Sequence, residues 1–277
     1  MRFALLALAV ALAAGCGGAA TQQAADDSVV KVGAIISQTG VYAALGDDME
    51  AAMRLYLDEH GGKLGGKTAR LVVADDAGTP ETGQQKARQL TLQDQVNVIT
   101  GLIASPVAVA VAKEAAAQKT PVVIANAGAD ALGGPGVFRV SYTNYMHGYA
   151  AGRYAAESYG KDGAVLMGAD YSAGTETLKG FAEGYAKGGG AKPLKQILTP
   201  FGKTQNFQPY LSQIPDEAKF LYVFYAGGEA ITFAKNFKQF GYDTKLKLLT
   251  VQLYVGQAAY RAGVDPAWQR TAELSDH

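Results

Sequence analysis

Side chains that could bind a small organic acid stand at the ends of four segments that the sequence predicts to be β-strands. Ser105 follows one of these segments and begins a predicted helix, so its hydroxyl and the free amides of the helix N-terminus suit a carboxylate. Small residues around Ala127 follow the next strand and would expose backbone carbonyls and amides. Tyr171 and Tyr225 follow two later strands. Because ligands of open α/β sheets lie beyond the carboxyl ends of the strands, we predict that these positions form a clamp for a small molecule.

One glycine-rich segment satisfies the P-loop pattern GxxxxGK[ST]. It reads GGKLGGKT at residues 61–68. This motif binds phosphate when it follows a strand and opens a helix. Here a helical pattern ends at His60, and a predicted strand follows at residues 69–75. The order of the elements therefore predicts a helix-to-strand turn and no nucleotide site.

Metal-dependent and hydrolytic chemistry have little support in the residue pattern. Asp75 and Asp76 could hold Mg²⁺ at a predicted strand end, but such residues more often make turn hydrogen bonds. The segment DYSAG at residues 170–174 lacks the first glycine of the GxSxG elbow of hydrolases. The histidines share no metal-ligand spacing: His60, His147 and His277. We therefore predict no catalytic residue, no metal and no cofactor, and an exported hydrolase is kept as an alternative.

The elements that must position these residues alternate along the chain. Short segments rich in Val, Ile and Leu, without strict alternation, predict parallel strands buried on both faces. The predicted strands are 30–37, 69–75, 96–101, 121–127, 164–170, 195–199, 220–225 and 245–251. The predicted helices are 46–60, 79–93, 106–118, 145–158, 175–187, 207–214 and 229–240. This alternation predicts a doubly wound α/β architecture.

The domain organisation follows from where this pattern breaks. The turn-rich segment GGPG at residues 133–136 precedes the break, which spans about residues 138–144. We predict that the chain crosses there from a first lobe, residues 29–140, to a second lobe, residues 141–277.

Composition excludes several classes of protein. Among 277 residues, 25 Lys and Arg balance 25 Asp and Glu, so no basic excess points to nucleic acid. With 18% charged and 48% apolar residues, the chain is not mainly disordered. A single cysteine excludes a disulfide scaffold and a cysteine-based zinc module.

The N-terminus predicts export. Arg2 precedes an apolar segment at residues 3–14, which is typical of a signal peptide covering residues 1–15. The residues LAAGC at 12–16 resemble a bacterial lipobox, with alanine where leucine is usual at the second position. This predicts a lipidated Cys16 that anchors an extracytoplasmic protein to the bacterial membrane, and an ordinary signal peptide is the alternative. Residues 16–28 lack periodicity and predict a flexible tether.

An ordered set of segments carries a family resemblance. The segments are KVGAIISQTG at 31–40 followed by Gly46, DDAGTP at 75–80, GLIAS at 101–105, PVVIANA at 121–127 and DYSAG at 170–174. The set resembles the type I periplasmic solute-binding proteins of branched-chain amino acid ABC transporters, from about Val29 to Val251. The resemblance implies two doubly wound parallel-sheet lobes, joined by a hinge, that close on a ligand without reacting with it.

The resemblance also implies roles for individual residues. Ser105 matches the position that holds the ligand carboxylate, and Ala127 matches a backbone carbonyl that contacts the α-ammonium. Tyr171 matches an aromatic contact from the second lobe, as does either Tyr225 or its neighbour Ala226.

Two positions depart from the amino-acid binders of that family. Ala129 stands where those proteins commonly have threonine, and Gln252 lies near their acidic partner of the ammonium. We therefore expect a neutral amide or an aromatic or aliphatic carboxylate more than a branched-chain or other amino acid. Family members also continue with a further hinge crossing, so the resemblance implies that the C-terminal part is missing here.

Together these features favour a lipid-anchored substrate-binding protein that delivers a small molecule to an ABC transporter permease. A ligand-sensing subunit of a membrane receptor would use the same two lobes, and it stays open as an alternative. No nucleic-acid partner is expected.

Overall fold

Apolar strands alternate with helices through residues 28–250, the part of the chain that the computed structural model describes. The strands are β1 (Val29–Ile36), β2 (Lys63–Leu64), β3 (Lys67–Asp75), β4 (Val98–Gly101), β5 (Val122–Ile124), β6 (Val137–Arg139), β7 (Ala164–Ala169), β8 (Lys195–Thr199), β9 (Phe220–Phe224) and β10 (Lys247–Thr250). The helices are α1 (Ala43–Glu59), α2 (Pro80–Leu92), α3 (Ser105–Ala117), α4 (Asn144–Ser158), α5 (Ser172–Lys187), α6 (Gln208–Leu211) and α7 (Gly227–Gln239). A 3-10 turn, Gly40–Tyr42, leads into α1.

The strands form two sheets, one in each lobe. The first sheet has the order β2-β3-β1-β4-β5-β6 and is parallel except for the short β2, and the second has the order β10-β9-β7-β8 and is parallel throughout. In each sheet the strand order reverses beside the first strand, β1 or β7, which leaves a crevice at the carboxyl ends there. The predicted α/β fold of two parallel-sheet lobes is confirmed.

Each predicted strand and helix has a counterpart, but several bounds differ. No local pattern predicts β2 and β6, because strands of two and three residues carry no readable period and depend on pairing with β3 and β5. Helix α5 begins at Ser172, three residues earlier than expected, since the small residues of its first turn show no apolar period. Helix α6 is only the four residues Gln208–Leu211.

Each lobe has its own apolar core. Ile35 and Ile99 are buried beside the central strands of the first lobe, and Val165 and Phe233 in the second. The partly buried ring of Phe201 packs against both cores. This ring therefore joins the two lobes beside the crevice that they share.

Helix α4 is held to the second lobe by close contact with α5. Gly148 and Gly152 lie one turn apart on α4, and Gly180 and Gly184 lie one turn apart on α5. A side chain at Gly148 would collide with the backbone carbonyl of Thr177 on α5. The glycines therefore let the two helix backbones approach directly.

The crossing between the lobes is fastened by Arg139, the last residue of β6. Its guanidinium donates hydrogen bonds to the carbonyls of Ala129 at 2.9 Å, Leu132 at 2.6 Å and Tyr142 at 3.3 Å. Residues 140–143 then lead into α4.

The P-loop-like segment is a connection from helix to hairpin. Gly65 and Gly66 have φ values of 59° and 81° and form the two-residue turn between β2 and β3. Because a strand follows the glycines, the segment opens no helix N-terminus for a phosphate. None of the helices within residues 28–250 is long and apolar enough to cross a membrane.

Candidate ligand-binding site

One cleft between the lobes is lined by residues that follow the carboxyl ends of strands. From the first lobe and the crossing, it is lined by Tyr42, Leu45, Ile103, Ser105, Asn126, Gly128, Tyr142 and Asn144. From the second lobe, it is lined by Tyr171, Ala173, Phe224 and Ala226. The cleft therefore lies where two crevices of parallel sheets meet, as expected for a ligand site of such folds.

A series of linked hydrogen bonds runs between the lobes beside this cleft. Ser105 is the first residue of α3 and is 2% exposed, and its Oγ accepts a hydrogen bond from Asn144 Nδ2 at 3.3 Å. Asn144 Nδ2 also donates to Glu176 Oε2 at 2.8 Å, which accepts from the backbone N–H of Asp130 at 3.2 Å. Since Asp130 and Glu176 belong to different lobes, these hydrogen bonds connect the two lobes beside Ser105.

Two tyrosines of the cleft lining, Tyr42 and Tyr171, form its aromatic wall. The hydroxyls of Tyr42 and Tyr171 are 2.8 Å apart and join the two lobes by a hydrogen bond. The ring of Phe201 stacks on Tyr171 with 4.1 Å between centroids and lies 5.9 Å from the ring of Tyr42. Burial raises the pKa of both tyrosines well above the ordinary value, so both hydroxyls stay neutral at physiological pH.

The volume of the cleft shows how tightly the lobes are closed. It amounts to about 20 Å³, which is room for about one water molecule. A ligand of the size of an amino acid or a benzoate needs far more space.

Ser105 and Tyr171, both predicted from the sequence, lie in the wall of this cleft. The carbonyl of Ala127 instead accepts a hydrogen bond from Ser141 Oγ at 3.4 Å. Ala129 is 1% exposed and its carbonyl accepts from Arg139, as described above. Their neighbours at positions 126 and 128 line the cleft in their place.

Tyr225 lies in the core of the second lobe. It is 0% exposed, packs against Phe207 and Phe233, and its hydroxyl is 3.2 Å from Thr199 Oγ1. Ala226, the alternative that the resemblance left open, lines the cleft. Gln252 and Cys16 lie outside the described residues. The ligand roles of all these residues stay predictions.

Reasoning from the sequence missed Tyr42 and Asn144. Strand β1 ends inside the segment 31–40, one of those that carry the resemblance, and Tyr42 comes shortly after that segment. Its place after a strand end was therefore a usable signal. Asn144 begins α4 after the crossing, and its approach to Ser105 across 39 residues has no signature in the local sequence.

The acidic pair serves the turns after β1 and β3. Asp75 accepts hydrogen bonds from the backbone N–H of Gln38 at 2.9 Å and from Thr39 Oγ1 at 2.7 Å. Asp76 Oδ1 accepts from Ser37 Oγ at 2.6 Å. In the described part of the chain, no group of three or more His, Cys, Asp or Glu side chains is placed to hold a metal ion.

Comparison with known proteins agrees with this geometry. The family model described as "Periplasmic binding protein" matches residues 29–268. The Leu/Ile/Val-binding protein homolog 6 of Brucella abortus (strain 2308) is 29% identical over 258 residues, which cover 91% of this chain and 63% of that protein. The chain thus spans less than two thirds of the length of this curated relative.

Solved structures include two similar solute-binding proteins of ABC transporters from Rhodopseudomonas palustris. One, in complex with benzoate, is 31% identical with a TM-score of 0.78, covering 85% of this chain and 66% of that chain. The other, from strain BisB5 in complex with 3,4-dihydroxybenzoic acid, is 30% identical with a TM-score of 0.76, covering 81% of this chain and 62% of that chain.

Proposed function

Since the chain belongs to the type I periplasmic binding protein family, we propose that it is the substrate-binding protein of an ABC transporter for a small aromatic carboxylate. The observation that carries this proposal is the narrow cleft between the lobes, which is lined both by Ser105 and by the aromatic wall of Tyr42 and Tyr171. The two similar R. palustris proteins, solved with benzoate and 3,4-dihydroxybenzoic acid, support an aromatic ligand.

The carboxylate end of the ligand is assigned to Ser105. The first-turn amides of a helix have no intrahelical partners, and together with the hydroxyl they favour an anion there. Asn144 already donates to Ser105 Oγ, and its amide can turn to the carboxylate when a ligand arrives. The ring is assigned to the space that opens beside Tyr171.

An α-amino acid fits this cleft less well. The carbonyls of Ala127 and Ala129 already accept hydrogen bonds from Ser141 and Arg139, and Ala129 has no hydroxyl to offer an ammonium. Neither residue lines the cleft, so an ammonium bound there would lack these two acceptors, whereas a benzoate needs neither.

Binding proceeds as opening and closing of a clamp. The two lobes part at the Tyr42–Tyr171 contact, the ligand enters, and its contacts with both lobes favour closure over the open state. The ligand is released unchanged to the permease, and no reaction is carried out on it.

Calorimetric titration of the purified chain with benzoate, 4-hydroxybenzoate and leucine tests the proposal. We expect the benzoates to bind and leucine to bind more weakly or not at all. Ser105→Ala should weaken benzoate binding by about 1–3 kcal/mol, the cost of one hydrogen bond to a charged group. The matched change Ser212→Ala, at the end of α6, should leave the affinity unchanged. Leucine binding without benzoate binding would reverse the ligand assignment, and equal affinity in Ser105→Ala would remove Ser105 from the site.

We further propose that the protein is exported and held on the bacterial membrane by lipid on Cys16. In this arrangement residues 1–15 are the signal peptide, residues 16–28 are the tether, and the lobes are residues 29–140 and 141–277. Acyl chains contribute about 0.8 kcal/mol per buried CH₂ group, so several chains hold a protein firmly. Cys16→Ala should move the protein from the membrane to the soluble fraction, and unchanged fractionation would contradict the anchor.

A further inference from the structure

Glu176 accepts two of the hydrogen bonds that connect the lobes beside Ser105. It lies near the start of α5, and its side chain is partly buried. A single oxygen, Oε2, accepts from Asn144 Nδ2 at 2.8 Å and from the backbone N–H of Asp130 at 3.2 Å. Glu176 is not one of the described residues that line the cleft, whereas Asn144 and Ser105 are. Glu176 can therefore influence a ligand there either through Asn144 or through its charge.

The contact with Glu176 decides which end of the Asn144 amide faces Ser105. A carboxylate only accepts hydrogen bonds, so the amide atom that contacts it must be the NH₂ nitrogen. This same nitrogen, Nδ2, lies 3.3 Å from Ser105 Oγ. If the amide were turned over, its carbonyl oxygen would face the carboxylate, and two acceptors would meet. Glu176 therefore presents an N–H donor of Asn144 to the Ser105 hydroxyl.

The rest of Asn144 is already held in place. The residue is 4% exposed, and its backbone N–H donates to the carbonyl of Gly128 at 2.7 Å. A β-carbon added at Gly128 would collide with Asn144 Oδ1, so the amide packs directly against the bare backbone there. The remaining freedom is the choice between the two orientations of the amide, and the carboxylate of Glu176 makes that choice.

The donor from Asn144 determines what the Ser105 hydroxyl can offer to a ligand. A serine hydroxyl has one hydrogen and two lone pairs. Because Oγ accepts from Asn144, the hydroxyl hydrogen is left to point elsewhere, and Ser105 lines the cleft. A hydroxyl in this state can donate to a carboxylate, which has no hydrogen of its own. If Asn144 presented its carbonyl instead, that carbonyl would take the hydrogen, and only lone pairs would face the ligand.

We propose that Glu176 is a positioning residue that makes the cleft selective for a carboxylate over the matching neutral amide. It fixes the Asn144 amide, so that Ser105 donates towards the ligand. This inference rests on the proposed carboxylate ligand and adds a residue outside the cleft lining. The charge of Glu176 acts in the opposite direction, because a second negative charge nearby disfavours an anion. The two effects therefore predict opposite results when the charge is removed.

Calorimetric titration of Glu176→Gln with benzoate and benzamide tests the proposal. The two ligands share the ring and differ in the charge and the N–H groups of the substituent. In the variant, the introduced amide can donate to a turned-over Asn144, whose carbonyl then takes the Ser105 hydrogen. We expect the ratio of benzoate affinity to benzamide affinity to fall about fivefold or more, as for the loss of one hydrogen bond.

Glu183→Gln is the matched control for the charge. Glu183 lies on the same helix, about two turns beyond Glu176, and its Oε2 accepts from the hydroxyl of Tyr145 at 2.6 Å. The control variant removes one carboxylate from α5 without touching the Asn144 amide. The ratio of the two affinities should stay unchanged in it, and circular dichroism checks that both variants are folded.

A second measurement needs no ligand. In protein labelled with ¹⁵N-asparagine, the side-chain amide of Asn144 gives a pair of NMR signals, which are assigned by their loss in Asn144→Ser. We expect Glu176→Gln to shift this pair, because the amide loses its carboxylate acceptor, and we expect Glu183→Gln to leave the pair in place.

Three results would overturn the proposal. If both affinities fall alike in folded Glu176→Gln, the residue only links the lobes. If the ratio rises, its charge outweighs the positioning of Asn144. If the Asn144 signals do not move, Glu176 does not hold the amide. Absence of benzoate binding by the unaltered chain is a different failure, which refutes the proposed ligand, and shifted Asn144 signals would then still support the positioning by Glu176.

Discussion

Glu229 should give the protein a stability that falls with rising pH, and one substitution should remove this dependence. Burial raises the pKa of Glu229 from 4.5 to about 7, so the folded state binds the proton more tightly than the unfolded state. Below pH 4.5 the carboxyl is protonated in both the folded and the unfolded state, so its burial carries no penalty for a buried charge. As the pH rises through 7, the free energy of unfolding loses about 3 kcal/mol, from about 1.4 kcal/mol for each pKa unit.

Glu229→Gln keeps the shape of the protonated side chain and cannot ionise. We expect the variant to match the unaltered chain near pH 4.5 and to exceed its free energy of unfolding by up to about 3 kcal/mol at pH 8. Urea denaturation at half-unit pH intervals measures this difference. A difference that stays constant from pH 4.5 to pH 8 would refute the reasoning.

Glu114→Gln is the matched control, because the pKa of Glu114 is shifted in the opposite direction. Arg88 donates hydrogen bonds from Nε and Nη2 to the two oxygens of Glu114, both at 3.0 Å, and they hold the pKa of that carboxyl below its usual value. A carboxyl with a lowered pKa stabilises the fold when the pH lies above the pKa of the unfolded state. This stabilisation is lost as the pH falls. Glu114→Gln should therefore destabilise at neutral pH and approach the unaltered chain in acid. A gain of stability at pH 8 in both variants would contradict the assignment of their charges.

Contacts within and between the lobes make three further outcomes testable. Tyr42→Phe and Tyr171→Phe should each cost about 1–3 kcal/mol in urea denaturation, because each strands one buried hydroxyl, and the double variant should cost less than their sum. Gly148→Ala should cost about 1–3 kcal/mol by forcing α4 from α5, whereas Gly133→Ala, with nothing within 4 Å, should be neutral within about 0.5 kcal/mol. Lys67→Ala should leave the thermal midpoint unresponsive to ATP, like the unaltered chain, since the segment is a hairpin turn.

Local sequence was enough for most elements of the fold. Apolar segments such as β1 and β7, and the helical patterns between strands, can be recognised within about a dozen residues. The folded chain has strands and helices at these places. The short β2 and β6 escaped because their stability comes from partners elsewhere in the sheet and not from their own two or three residues.

The residues of the candidate site also fall into two groups, those that a local pattern predicts and those that depend on the tertiary structure. Ser105 and Tyr171 could be found because each follows a recognisable strand, and parallel sheets bring such ends together. Tyr225 and Ala226 follow β9, and which of them faces the cleft depends on how the chain leaves the strand: the fold buries Tyr225 in the core, and Ala226 lines the cleft.

The sequence by itself determined the fold class and the strand ends that carry Ser105 and Tyr171, because local periodicity encodes both. Only the tertiary structure decided that Asn144 reaches Ser105, that Tyr42 bonds to Tyr171 and that Glu229 is buried opposite Val41. These pairings join residues far apart in the chain. Their existence depends on how two lobes close on each other, which no local pattern of residues specifies.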